Sequence, residues 1–236
     1  MNVHDLITLV FICAAVAATI IFRKLTIAGA FTGGLLAALL YKGLGVTGIV
    51  FLGAFFVAGT VATSLGRRKK EQLSIAEKNK GQRTASQVLA NGGVAALAGL
   101  LAWLYPQHLM AWQLAAAASL ASASADTLSS ELGSIYGKNF YNILSFKKDT
   151  CGLDGVISLE GTLWGIAGSV LIAVIYMAAY GYSALAWWIV VAGFIGNMAD
   201  SILGAAFERK GWIKNDQVNF LNTLIAALVG LLGYLV

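Results

Sequence analysis

Two tetrapeptides in this chain are nearly alike, Ala125-Asp126-Thr127-Leu128 and Ala199-Asp200-Ser201-Ile202, and a glutamate follows each, Glu131 and Glu208. Both stand in otherwise apolar sequence, where an ionisable side chain is costly and usually functional. Two aspartates brought together from neighbouring helices could hold a divalent metal between them. Magnesium takes one or two protein carboxylates and fills its other positions with water and substrate phosphate oxygens. That chemistry suits phosphoryl transfer, in which positioning and charge neutralisation carry most of the catalysis. A lone intramembrane aspartate can instead be a helix–helix hydrogen-bonding partner; the matched pair is what favours a metal.

Helical spacing extends the pattern. Ser119, Ser122, Asp126 and Ser129 or Ser130 recur every three or four residues, as do Asn197, Asp200, Gly204 and Glu208. Residues so spaced share one helix face. Asn219 and Asn222 form a further i, i+3 pair. Such faces turn inward, away from lipid. Lys78, Lys80 and Arg83 make a cluster able to bind phosphate. Lys147 and Lys148 precede a glycine-bearing loop whose N–H groups could cradle an anion. No P-loop sequence is present, so a nucleotide would be held by other means. The two histidines and two cysteines form no metal-ligand pattern and no disulfide framework.

Composition says which elements must position these groups. The 236 residues are 58% hydrophobic and 11% charged, with 27 glycines and one proline. A soluble domain carries about 25% charged residues. The expected fold is all-α, a polytopic transmembrane helix bundle formed as one domain over 1–236. Alternating strand-like segments are too few for a barrel. Runs near the length a bilayer needs fall at 3–22, 26–41, 46–65, 86–105, 110–130, 160–180, 184–206 and 218–236. That makes eight spans, or seven if the second, short and glycine-rich, is re-entrant.

The charges orient these spans. Arg and Lys residues follow the first, third, fifth and seventh, and only Lys42 falls on the other side. By the positive-inside rule the segments 66–85 and 131–159 are cytoplasmic loops and both termini lie outside. The net charge of +5 then reports topology, and no nucleic-acid partner is expected. A bacterial plasma membrane is the expected location. The N-terminal stretch has no basic residue before Phe11, so it is expected to be a span and not a cleaved signal. Ten of the eleven acidic residues also gather on the inner side, for which topology gives no reason.

The segments QVLANGG (87–93), ADTLSSELG (125–133), GLDGVISLEGT (152–162), GNMADSILG (196–204), ERKG (208–211) and VNFLNT (218–223) together resemble the integral-membrane family called domain of unknown function 92. Its members include transmembrane protein 19 and a plant phytyl-phosphate kinase. The resemblance implies a kinase that converts a phytyl, farnesyl or geranylgeranyl monophosphate to the diphosphate. CTP is the implied donor, by analogy with CTP-using lipid enzymes. Under that reading Asp126 and Asp200 hold Mg²⁺, with Glu131 and Glu208 as ligands or supporting groups. Lys80, Arg83 and Arg209 bind phosphates. Asn91, Asn197, Asn219 and Asn222 position nucleotide or metal-bound water. Asp154, Ser158 and Thr162 shape a loop over the nucleotide. The family's loop has a Gly-Ala-Val-Ser core where this chain has Gly155-Val156-Ile157-Ser158. A transporter with aspartate-based ion coupling is the competing reading, and a CTP-dependent lipid cytidylyltransferase is another; transporter sites tend toward the bilayer midplane, whereas these groups gather at one end.

Overall fold

Polar residues start several of the helices. Thr26 Oγ1 accepts from Gly29 N at 3.1 Å, Thr84 caps the helix after it together with Gln87, and Ser158 Oγ accepts from Gly161 N at 3.0 Å. Such caps satisfy N–H groups that the first helical turn leaves open. The computed structural model describes residues 3–65 and 82–235. Among these, eight long helices follow in order: α1 Val3–Ile21, α2 Ile27–Leu44, α3 Val46–Leu65, α4 Ala85–Leu104, α5 Leu109–Tyr136, α6 Leu159–Tyr180, α7 Ala184–Leu203 and α8 Asn215–Leu235. Seven of them are long and apolar enough to cross a bilayer; α5 is the exception.

α5 is nevertheless the centre of the bundle. It packs against α3, α4, α6, α7 and α8, and Ser119, Ser122 and Ser124 are almost wholly buried. Five neighbours shield it from lipid, so serines and an aspartate are tolerated where a lipid-facing helix could not carry them. Small residues allow this closeness. A Cβ on Gly133 would stand 2.8 Å from Gly161 Cα on α6, so only glycine fits. α1 packs chiefly on α2, and most of its large apolar side chains face outward.

One alternative in the sequence reading is decided, and two details differ from it. The second span is one unbroken helix, α2, held against α4 where Gly43 meets the backbone of Gly99. α5 runs to Tyr136, so the following loop begins at Gly137 and not at 131, and Glu131 is helical. α7 ends in a wider turn, Gly204–Glu208, with Arg209 N bonded to Gly204 O at 3.0 Å. Such i→i+5 turns are rare and cluster at functional sites.

The loop 137–158 folds back over the bundle end through a short antiparallel ribbon, β1 Tyr141–Asn142 with β2 Val156–Ile157. Of the basic loop 66–85, residues 66–81 lie outside the described residues, Lys78 and Lys80 with them. Arg83 is fixed by its backbone to the α1–α2 turn: its N donates to Lys24 O at 3.1 Å, and its O accepts from Thr26 N at 3.0 Å.

Candidate functional site

The C-terminal ends of α5 and α7 meet the N-terminal ends of α6 and α8 at one end of the bundle. With the 137–158 loop they enclose a polar pocket of about 250 Å³. Asp126, Asp154, Ser158, Asn197, Asp200 and Glu208 all line it. These six of the expected residues come from α5, α7, the loop, the cap of α6 and the wider turn.

The Asp126 and Asp200 carboxyl groups meet at hydrogen-bonding distance. Two carboxylates this close repel unless a proton or a cation lies between them. Ser130 Oγ reaches Asp126 Oδ1 at 3.5 Å. Asp200 is oriented from behind: Asn222 Nδ2 donates to Asp200 Oδ2 at 2.6 Å, and Ser122 Oγ donates to Asn222 Oδ1 at 3.0 Å. Both Ser122 and Asn222 are completely buried. Asn222 therefore does not face the pocket; it fixes the aspartate that does.

Asn197 is buried against Gly165, where a Cβ would stand 2.6 Å from Asn197 Nδ2, and that nitrogen has no hydrogen-bond partner. Asn219 Nδ2 donates to Asn215 Oδ1 at 3.2 Å, and Asn215 lines the pocket and is hydrogen-bonded to Glu208. The wider turn swings Glu208 onto the pocket wall. Gly155, at φ +73°, lies so close to Ala205 of that turn that any Cβ would collide with it. Thr162 Oγ1 donates to Ser158 O at 3.0 Å and only supports the cap.

Arg209 does not reach the pocket wall. Its Nη1 donates to Asp149 Oδ2 at 2.8 Å, tying the loop to the end of α7. This hydrogen bond holds the Asp149 carboxyl below the usual aspartate range. Asp154, on the same loop, goes the other way: burial pushes its carboxyl up, against the opposing charge of Arg209. Glu131 stands outside the pocket, close enough to Asp126 for its charge to be felt. Among the described residues no group of three or more His, Cys, Asp or Glu side chains is arranged to hold a metal ion. Of the four carboxylates expected as ligands or supporting groups, Asp126, Asp200 and Glu208 line the pocket, and Glu131 does not. A facing pair of carboxylates fits magnesium, which needs no more than that from protein when phosphates supply the rest.

Arg83 and Asn91 are not in this pocket either. They line a second cavity, of about 340 Å³ and otherwise almost entirely apolar, between α1, α2, α3 and α4. Their nearness in sequence to a basic loop does not tell which side of α4 they take.

Sequence reasoning overlooked Asp149 and Asn215. Asp149 pairs with a residue 60 positions away, which leaves no local pattern. Asn215 had a signal, since it precedes Asn219 by one helical turn.

A helical bundle with a carboxylate pair in a polar pocket at one end defines a polytopic integral membrane protein with a built polar site. The chain belongs to the family described as integral membrane protein DUF92, whose profile matches residues 10–227. An uncharacterized membrane protein of Synechocystis is 32% identical over 202 residues, covering 83% of this chain and 77% of that relative. Protein VTE6, chloroplastic, of Arabidopsis thaliana is 33% identical over 207 residues, covering 84% of this chain and 62% of its own length. An uncharacterized membrane protein of Methanocaldococcus jannaschii is 32% identical over 191 residues, covering 79% and 76%. No solved structure matches the chain.

Proposed function

We propose that the chain is a membrane-bound prenyl-monophosphate kinase that makes the diphosphate with CTP and Mg²⁺. The contact between Asp126 and Asp200 in the polar pocket carries this reading. In the reaction, the terminal P–O–P bond of the nucleotide breaks, a P–O bond forms to an oxygen of the prenyl phosphate, and the nucleoside diphosphate leaves. Asp126 and Asp200 would hold the magnesium ion, which when bound neutralises charge on the phosphates. Ser122 and Asn222 keep Asp200 turned toward it. The capped N-terminus of α6 borders the same pocket, and a helix N-terminus favours a phosphate oxyanion. Asn197 offers a buried unpartnered amide to the nucleotide or to bound water. Glu208, Glu131, Asn215 and Asn219 shape and support the wall. Arg209 supplies positive charge beside the 137–158 loop through its pair with Asp149, and Lys80 is a further phosphate-binding residue on the sequence reading. The acceptor is already an anion, so the main barrier is anion–anion repulsion, which charge neutralisation addresses. In this reading the membrane is a bacterial plasma membrane; the charged-loop pattern supports a pocket that opens to the cytoplasm, with both termini outside.

Purified protein in detergent with Mg²⁺ is supplied with phytyl, farnesyl or geranylgeranyl monophosphate and with CTP, ATP or UTP, and products are read by mass spectrometry. A prenyl diphosphate is the expected product, most abundant with CTP. A CDP-lipid from added phosphatidate would move the protein to the cytidylyltransferases. No new covalent product from a folded preparation would overturn the kinase reading in favour of transport.

A further inference from the structure

We propose that the apolar cavity between α1, α2, α3 and α4 holds the isoprenoid chain of the lipid substrate, and that Arg83 anchors its phosphate at the border with the aspartate pocket. The identity of the lipid rests on the kinase reading; the placement of its chain rests on the following geometry.

The cavity wall is apolar except at one end. There Gln87 and Asn91, one turn apart on α4, and Arg83, just before the cap of α4, all line the wall. Asn91 is nine-tenths buried, and its Oδ1 has no partner although Nδ2 donates to Gln87 O at 2.9 Å. That open acceptor calls for a donor at this end of the cavity, such as the P–OH of a singly ionised phosphate monoester or a water bound beside it. Along α1 the lining runs from Phe11 to Thr19, a depth of about 12 Å at the helical rise. The volume of about 340 Å³ suits one chain and is too small for the two chains of a phospholipid.

Arg83 links this cavity to the acidic pocket. Its guanidinium lies over the Phe55 ring, 5.3 Å from the centroid, and its backbone is bonded on both sides to the α1–α2 turn. A Cβ on Gly59 would stand 2.5 Å from Arg83 Nη2 and 3.1 Å from Thr127 Cγ2. The guanidinium therefore shares the Gly59 notch with the residue that follows Asp126. A chain in the cavity with its head at Arg83 would present its phosphate toward the aspartates. The planar guanidinium fork matches phosphate geometry. Entry from the bilayer is open near Gly53 of α3, which lines the cavity and has no atom within 4 Å of its missing Cβ.

The test uses the full chain in nanodiscs with a diazirine-bearing farnesyl phosphate, irradiated and mapped by peptide mass spectrometry. Labels on α1–α4 cavity residues are expected, displaced by geranylgeranyl phosphate and not by phosphatidate. Gly53→Phe should cut labelling by the long-chain probe about tenfold while sparing a geranyl probe, as a filled hydrophobic pocket discriminates by size. Ala15→Trp fills the cavity from the exposed face of α1 and serves if the first variant misfolds. Labels elsewhere, or equal displacement by phosphatidate, would overturn the assignment. Cavity labelling without any diphosphate product would overturn the kinase and leave the cavity site standing. Diphosphate formation with labels elsewhere would do the reverse.

Discussion

Asn222 Nδ2 sits 2.6 Å from Asp200 Oδ2, and the same amide accepts from Ser122 Oγ at 3.0 Å on the central helix. One asparagine thus fixes a carboxylate across three helices. Replacing a group that orients a metal ligand typically costs about 10–100-fold in activity or metal affinity. Asn222→Ala should lower turnover by about that factor and raise the Mg²⁺ concentration for half-maximal rate. A Mg²⁺ titration checks it, because a purely structural role would lower stability without moving that concentration.

Asp126→Asn and Asp200→Asn should each reduce Mg²⁺-dependent turnover at least about a hundredfold, the scale of losing a central electrostatic stabiliser. Both variants should elute like the parent and melt no lower, because each removes one of two facing carboxyl groups. Parent-like turnover in either would refute the assignment of the pair to the metal.

Gly155→Ala tests the seat of the loop. Gly155 has φ +73° and abuts Ala205, whereas Gly181 has φ +88° and open space around it. Gly181→Ala should cost about 1–3 kcal/mol from backbone strain alone. Gly155→Ala adds a collision, and a loss of about 1–3 kcal/mol beyond that is expected for overpacking at a tight contact. Thermal melts give the difference, and turnover should fall only for Gly155→Ala.

The loop also sets a pH dependence. Asp149 is held below the ordinary aspartate range by Arg209, so the tie is fully present above that range and is lost as pH falls through the depressed value. Asp154 is raised by burial, so its ionisation opposes folding once pH rises above the ordinary range, and that cost persists at neutral pH. Asp149→Asn should therefore speed proteolysis of the loop at neutral pH but not in strong acid. Asp154→Asn should raise the melting temperature at neutral pH and leave it unchanged in acid. Limited proteolysis and melts across pH measure both.

The aspartate pair was legible because matched motifs on two parallel spans predict matched depth, and helical spacing predicts the face. Ser158 and Asp154 were legible as loop residues joining a helix start. Arg83 and Asn91 line the second cavity and not the acidic pocket, because position along the chain does not reveal which neighbour a side chain meets. The wider turn at 204–208 leaves no trace in composition, yet it brings Glu208 to the pocket. The central helix was read as a span from the length of its run, and the alternation of basic loops supported it, although among the described helices only the other seven meet the apolar length requirement.

The polarity of α5 bears on how the protein is made. An aspartate at the middle of an isolated helix costs about 2.5–3.5 kcal/mol to insert, and α5 adds a run of serines to that. A nascent chain that has emerged only through Tyr136 holds a segment that lipid alone would not accept. α3 and α4, made earlier, cover part of α5; the rest of its cover comes from partners made later, α6 first, whose Gly161, Gly165 and Gly168 receive its backbone closely. Membrane integration is therefore cooperative across the second half of the chain, and a truncated product would be exposed to quality-control proteases at the helix that carries Asp126.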